Sequence, residues 1–191
     1  MILVGLKARP RQAYRLFPTP FPLRRYAQVF PTIELFWWHR LPDLETIGRL
    51  KNQVPPGFRF SAYGHKHLTF QPQGQERRTL RRIFRRFRAL GEKQGALRIS
   101  LPPLEKEALL AWLELLEEVW QEQKRPRLAL ELPQGLEELA LERGFAVVNG
   151  EGPFYYLLDP GALPEGEGFA YFSELKRARG ALQTGSPGLH S

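Results

Sequence analysis

YAQVFPTIELFWWHRLP at residues 26–42 and PPGFRFSAYGHKHLT at 55–69 decide the reading of the fold. Each segment holds a short apolar run, TIELF (32–36) and FRFSAY (58–63), that flows into a cluster of polar and aromatic side chains. A helical stretch lies between them. A strand that ends in chemistry-capable residues and is followed by a helix is how α/β proteins build their sites.

The same alternation extends outward along the chain. Strands are expected at Ile2–Leu6, Thr32–Phe36, Phe58–Tyr63, Ala96–Leu101, Arg127–Leu132, Phe145–Val148, Phe154–Leu158 and Phe169–Phe172. They are short, apolar and rarely alternating, as strands covered on both faces should be. Helices fit Leu23–Val29, Leu44–Gln53, Gln75–Lys93, Lys106–Gln123, Gly135–Arg143 and Glu174–Leu182, with Asp43 as N-cap of the second. Strand–helix alternation argues for a parallel sheet, and eight strands for a closed barrel. Two facts resist a full barrel. A chain of 191 residues is short against the usual ~250, and only NGEGP links Val148 to Phe154, where a parallel crossover needs about a dozen residues. Asn149-Gly150 is moreover a hairpin signal. The expectation is a reduced or irregular TIM-barrel-like (β/α) barrel with one or more outer helices missing. Residues 145–158 read equally as a hairpin or as two parallel strands. One domain spans 1–184, and 185–191 read as a flexible tail.

Composition bounds the function. The chain has no cysteine, which excludes disulfides, thiolate metal sites and cysteine nucleophiles. No apolar stretch approaches the ~20 residues of a membrane span, and MILVGLKARP lacks a signal-peptide layout, so a cytoplasmic protein with no membrane partner is expected. One Met, few Asn and an excess of Arg over Lys are thermophile-like. A net charge of +8 favours an anionic partner. The first 33 residues carry Lys7, Arg9, Arg11, Arg15, Arg24 and Arg25 without one acid.

The opening block resembles the YecE-like family, domains of unknown function with a TIM-barrel-type fold. Tyr26-Ala27, Ile33-Glu34, Pro42, Phe58-Arg59-Phe60, Thr69 and Tyr171-Phe172 match its motifs. The departures fall on the polar positions. Leu35-Phe36-Trp37-Trp38-His39 replaces an Asn-x-Thr-Phe-Tyr stretch, Tyr63 stands for a lysine, Phe70 for a histidine and Ser173-Glu174 for paired asparagines. Of the strand-end polar residues that the resemblance implies, Glu34 and Glu131 remain, so this member looks altered or degenerate.

In such a barrel the loops after strands form the functional face. Lys7, Arg9, Arg11 and Arg15, interleaved with Tyr14, would form a basic lip able to hold phosphates while rings stack on bases. A solvated, arginine-biased loop reads at least as well. Of the pair Trp37-Trp38, Trp37 joins the ligand-binding set as a stacking platform, with at least one of the two packed under helices. Glu34, with His39, is the candidate for acid–base catalysis, set against a structural ion pair with Arg40 or Arg59. His65 and His67 share a face of an extended segment and, with Glu131, join the ligand-binding set. As metal ligands they are outweighed by ordinary loop histidines, so no metal is assigned, and no cofactor either. RRTLRRIFRRFRAL (77–90) puts Leu80, Ile83, Phe84, Phe87 and Leu90 on one stripe and arginines on the other side. Pairing of those arginines with the acids of helix 106–123 is the plainer account, and nucleic-acid contact the sharper one. The sequence thus favours binding of a phosphate-bearing ligand, nucleic acid first, at the strand C-terminal mouth. The alternatives are a small-molecule enzyme using Glu34 with His39 or His65 in acid–base or metal-assisted hydrolysis, and a non-catalytic scaffold. It assigns no oligomeric state.

Overall fold

The eight apolar runs become eight parallel strands of one sheet that wraps into a nearly closed barrel. A computed structural model describes residues 1–9 and 23–184. The strands are β1 (Ile2–Leu6), β2 (Thr32–Phe36), β3 (Arg59–Tyr63), β4 (Gln94–Ser100), β5 (Leu128–Glu131), β6 (Ala146–Val147), β7 (Tyr155–Leu158) and β8 (Gly168–Phe172). Their order is β6-β5-β4-β3-β2-β1-β8-β7. The helices are α1 (Leu23–Val29), α2 (Leu44–Lys51), α3 (Glu76–Arg88), α4 (Lys106–Glu122), α5 (Glu137–Leu141) and α6 (Leu175–Thr184). Asp43 caps α2 by accepting from the Thr46 N–H at 2.8 Å.

The barrel is reduced where the sequence was ambiguous. No helix separates β6 from β7 or β7 from β8. Both readings of 145–158 hold a part of the answer. The Asn149 turn is real, with Asn149 at φ +59° and the Gly150 N–H bonded to Val147 O, and it sends the chain back alongside β6. The strands nevertheless run parallel, β6 on β5 and β7 on β8. A two-residue strand makes this possible, because the chain has almost no length to retrace before it turns again. The seam between β6 and β7 is closed by Asn149, whose N–H bonds Tyr156 O at 2.9 Å and whose Oδ1 accepts from Leu158 N at 2.8 Å.

Inside the barrel, size alternates across facing strands. Ala96, Ala129 and Ala146 of β4–β6 face Tyr156, Phe169 and Tyr171 of β7 and β8. The Tyr171 hydroxyl donates to Ser61 Oγ at 2.6 Å and meets Thr32 Oγ1 at 2.8 Å, so this polar layer is satisfied. Outside, α3 buries Leu80, Ile83, Phe84 and Phe87 of the expected stripe, and Leu90 just after it is buried too. Two of its seven arginines pair with acids of α4 as the plainer account holds, Arg77 with Glu118 at 2.5 Å and Arg81 with both oxygens of Glu122 at 2.8 and 2.6 Å, and Arg88 bonds Gln123 at the end of α4. Among the described residues no helix is long and apolar enough to cross a membrane.

β1 and β2 are paired over only two residues, and Tyr26 of α1 completes the joint. Its buried hydroxyl accepts from Leu6 N at 2.9 Å and donates to Thr32 O at 2.6 Å, and burial pushes its pKa up. Gly5 is what admits it. A Cβ there would lie 2.0 Å from Thr32 O and 3.0 Å from the Tyr26 hydroxyl.

Gly5→Ala should therefore destabilise by about 2 kcal/mol or more, whereas Gly48→Ala, in open space within α2, should stabilise by about 0.5–1 kcal/mol. Urea unfolding of the two variants reads both signs. A pH dependence follows from α3 and α4. The Arg81 hydrogen bonds hold Glu122 at about 2, against its usual 4.5. A carboxyl depressed in the folded state adds stability above its unfolded pKa and loses it as pH falls through the folded value. Stability should decline from about pH 4.5 to about 2, and Glu122→Gln should flatten that limb slightly, since screening weakens so exposed a pair. Unfolding midpoints across acidic buffers measure it.

Candidate functional site

At the C-terminal mouth, four strands and the residue just past β1 contribute to one charge cluster. Glu34 on β2 and Arg98 on β4 are both almost fully buried and form a two-pronged ion pair. Arg98 Nε reaches Glu34 Oε2 at 2.8 Å and Nη2 reaches Oε1 at 3.0 Å. The Ala8 N–H, just past β1, donates to Oε1 at 3.0 Å, and the Tyr156 hydroxyl of β7 donates to Oε2. Arg98 Nη1 continues to Glu131 Oε1 on β5 at 2.5 Å, an oxygen that also accepts from Ser100 Oγ at 2.5 Å. Burial opposes the charge on Arg98, but Glu34, Tyr156 and Glu131 outweigh it and raise its pKa. Burial, then the Glu34 charge, pushes the Tyr156 phenol well up, so it stays a donor.

The geometry determines what each carboxylate is able to do. A carboxylate offers about four acceptor positions, and all four on Glu34 are occupied by protein donors. Glu34 therefore acts as an anchor, in an ion pair whose partner is Arg98 rather than the expected Arg40 or Arg59. Arg59 instead bonds the Phe58 carbonyl at 3.2 Å. Glu131 differs. Its side chain is 35% exposed, and no hydrogen bond reaches its Oε2 among the described residues.

An aromatic stack covers the cluster. The Arg98 guanidinium lies 3.8 Å from the Tyr63 ring centroid, and Trp38 stacks on Tyr63 at 5.4 Å and 17°. Trp38 is half-buried, Phe36 leans on the same tyrosine at 6.1 Å, and the exposed His39 meets Phe36 edge-on at 5.6 Å. The tryptophan at the mouth is thus Trp38. Trp37, the expected binding residue, is buried against Phe87 of α3, because successive residues leaving a strand point to opposite sides.

The structure separates other residues that the sequence grouped. His39 makes no hydrogen bond to Glu34. His65 is buried, its Nδ1 is 2.9 Å from Trp37 O and its ring is 4.8 Å from that of His67. Burial lowers the His65 pKa, with His67 and Arg82 adding to the effect, so it is neutral at pH 7. Among the described residues no three His, Asp or Glu side chains come together as a metal-ligand set. Lys7 and Arg9 follow β1 at the rim, and Lys66 follows β3, its N–H bonded to Trp38 O at 3.0 Å. Arg11, Tyr14 and Arg15 lie outside the described residues. Asp159, after β7, accepts from Ser173 N and Oγ at 2.8 and 2.7 Å. Burial works against its charge, but these bonds, with Lys7 and Arg177, lower its pKa.

Sequence reasoning missed Arg98 and Tyr156. The available signal was Arg98 itself, a lone cation inside the apolar run ALRISL, two residues before the polar Ser100 on the same face.

The DUF72 family, whose description is "Protein of unknown function DUF72", matches residues 11–135, more than half of the chain. The chain belongs to that family, and the YecE-like resemblance of its sequence is a likeness to the same family. A crystal structure of a DUF72 family protein from Enterococcus faecalis V583 superposes with a TM-score of 0.64 at 14% identity. The match covers 95% of this chain and 97% of that one, and it shows a shared fold. No curated protein matches the chain.

Removing the cation from the cluster should be severe, because two carboxylates are then left facing each other inside the barrel. Arg98→Met is expected to cost about 3–5 kcal/mol. Tyr63→Leu, which removes only the ring over the guanidinium, should cost about 1–2 kcal/mol. Chemical denaturation of both variants checks the order.

Proposed function

We propose that the mouth of the barrel binds a phosphate-bearing ligand through a stacked aromatic ring, with single-stranded nucleic acid as the favoured form. The observation that carries this reading is the Trp38–Tyr63–Arg98 stack, half-exposed at the strand ends and held rigid from below by Glu34 and Glu131. A pinned ring is a sequence-tolerant platform for a base. The cluster beneath it holds one cation against two carboxylates, so the floor does not attract phosphate. Attraction has to come from the rim, where Lys7, Arg9, Arg40 and Lys66 follow the ends of β1, β2 and β3. The open Glu131 Oε2 suits the amino or imino edge of a base, a group that donates.

A second reading rests on the same oxygen. If the protein is a small-molecule enzyme, its acid–base residue is Glu131 rather than the saturated Glu34, with Ser100 and Arg98 fixing its position.

Fluorescence anisotropy with a labelled oligothymidylate separates the readings. Binding should weaken about 20-fold between about 50 and 200 mM salt if three phosphates are neutralised on a single strand. Trp38→Ala should cost about tenfold or more in affinity, and the combined Arg9→Glu, Arg11→Glu, Arg15→Glu variant should abolish binding. Equal affinity in Trp38→Ala and the parent protein would sink the stacking reading. An absence of binding at low salt would remove nucleic acid as the ligand and leave the Glu131 reading.

A further inference from the structure

The opposite end of the barrel holds a cavity of about 450 Å³, a volume within the range of small-molecule sites. It is framed by the strand beginnings. Arg59 opens β3 and Arg127 immediately precedes β5, while Leu3, Phe154 and Phe169 supply an apolar wall. Phe154 and Phe169 sit edge to face at 6.3 Å and are themselves well buried.

The two arginines contrast with Arg98. Arg59 Nη1 makes one bond, to the Phe58 carbonyl at 3.2 Å, and Arg127 Nη1 makes one long bond, to Gln94 O at 3.5 Å. No carboxylate pairs with either among the described residues, although a guanidinium has five N–H donors to place. Among the described residues Glu167 is the one acid on the cavity wall, and its Oε1 is engaged at 2.6 Å by the Met1 ammonium. Two forks with spare donors beside an aromatic wall form a receptor for an oxyanion attached to a flat apolar body.

We propose that this cavity binds a small aryl oxyanion, a phosphate monoester or a carboxylate carried on an aromatic ring, with Arg59 and Arg127 taking the anion and Phe154 and Phe169 the ring. The site is independent of the mouth.

Isothermal titration with phenyl phosphate, benzoate and inorganic phosphate tests it. Saturable binding of phenyl phosphate or benzoate is expected, tighter than that of inorganic phosphate, and the source giving the higher affinity identifies the anion. Arg59→Gln with Arg127→Gln should weaken that binding tenfold or more, and Arg127→Gln alone, an exposed change that leaves folding intact, should weaken it several-fold. Trp38→Ala should leave it unchanged. The proposal is overturned if no aryl anion binds saturably, if the arginine variants bind as the parent does, if Trp38→Ala removes the binding, or if inorganic phosphate binds as tightly as the aryl compounds.

Discussion

Arg98 is the residue on which the mouth of this barrel depends. A guanidinium buried to about a twentieth of its free surface is costly unless every donor finds an acceptor. Here one cation ties two strands that are not adjacent, β2 and β5, to its own strand β4, while Ala8 after β1 and Tyr156 of β7 close on the same carboxylate. The strands are short, two to seven residues, so backbone ladders alone secure little length of each. Side chains bridge the places where those ladders are thinnest. Tyr26 joins β1 to β2, Asn149 joins β6 to β7, and the Arg98 cluster draws the strand ends together above them.

The same economy explains how a chain of this length forms eight strands. The two connections without helices flank β7, so the outer layer is thinnest where the inner side chains are largest. Phe154, Tyr156, Phe169 and Tyr171 fill the barrel from that side and leave alanines sufficient on the other. Volume supplied from within thus accompanies cover lost from without.

Strand positions were legible because the apolar runs are bounded by Pro, Gly and charge, and TIELF and ILVGL are strands with the expected limits. The Arg–Glu match of α3 with α4 was legible for a related reason: it lies between successive elements, which are neighbours on a barrel's outer ring. Glu34 stood out as a carboxylate at the end of an apolar strand. Its partner did not, because Arg98 is 64 residues away in the chain, and contact across β2, β3 and β4 depends on barrel curvature rather than on any local pattern. The Trp37–Trp38 choice turned on the phase of the chain as it leaves β2, which the expected strand end leaves undetermined. At 145–158 the turn residues were informative about the turn, but strand sense was set by the brevity of β6, a property of tertiary pairing.

The departures from the family pattern acquire a physical sense at this site. Glu34 and Glu131, the strand-end carboxylates retained in the resemblance, are the two that neutralise Arg98, and they belong to the scaffold of the mouth. The substitutions lie above them. Tyr63, standing where the resemblance places a lysine, lays its ring on the guanidinium, and Trp38 extends the stack outward. Exchanging a cation for an aromatic ring at that point removes one positive charge from beside the cluster and puts a neutral face over the Arg98 guanidinium instead. It also changes what the mouth presents, from a point charge to a flat surface. Cations at this end are left to the rim, where Lys7, Arg9, Arg40 and Lys66 follow β1, β2 and β3, apart from the ring that covers Arg98.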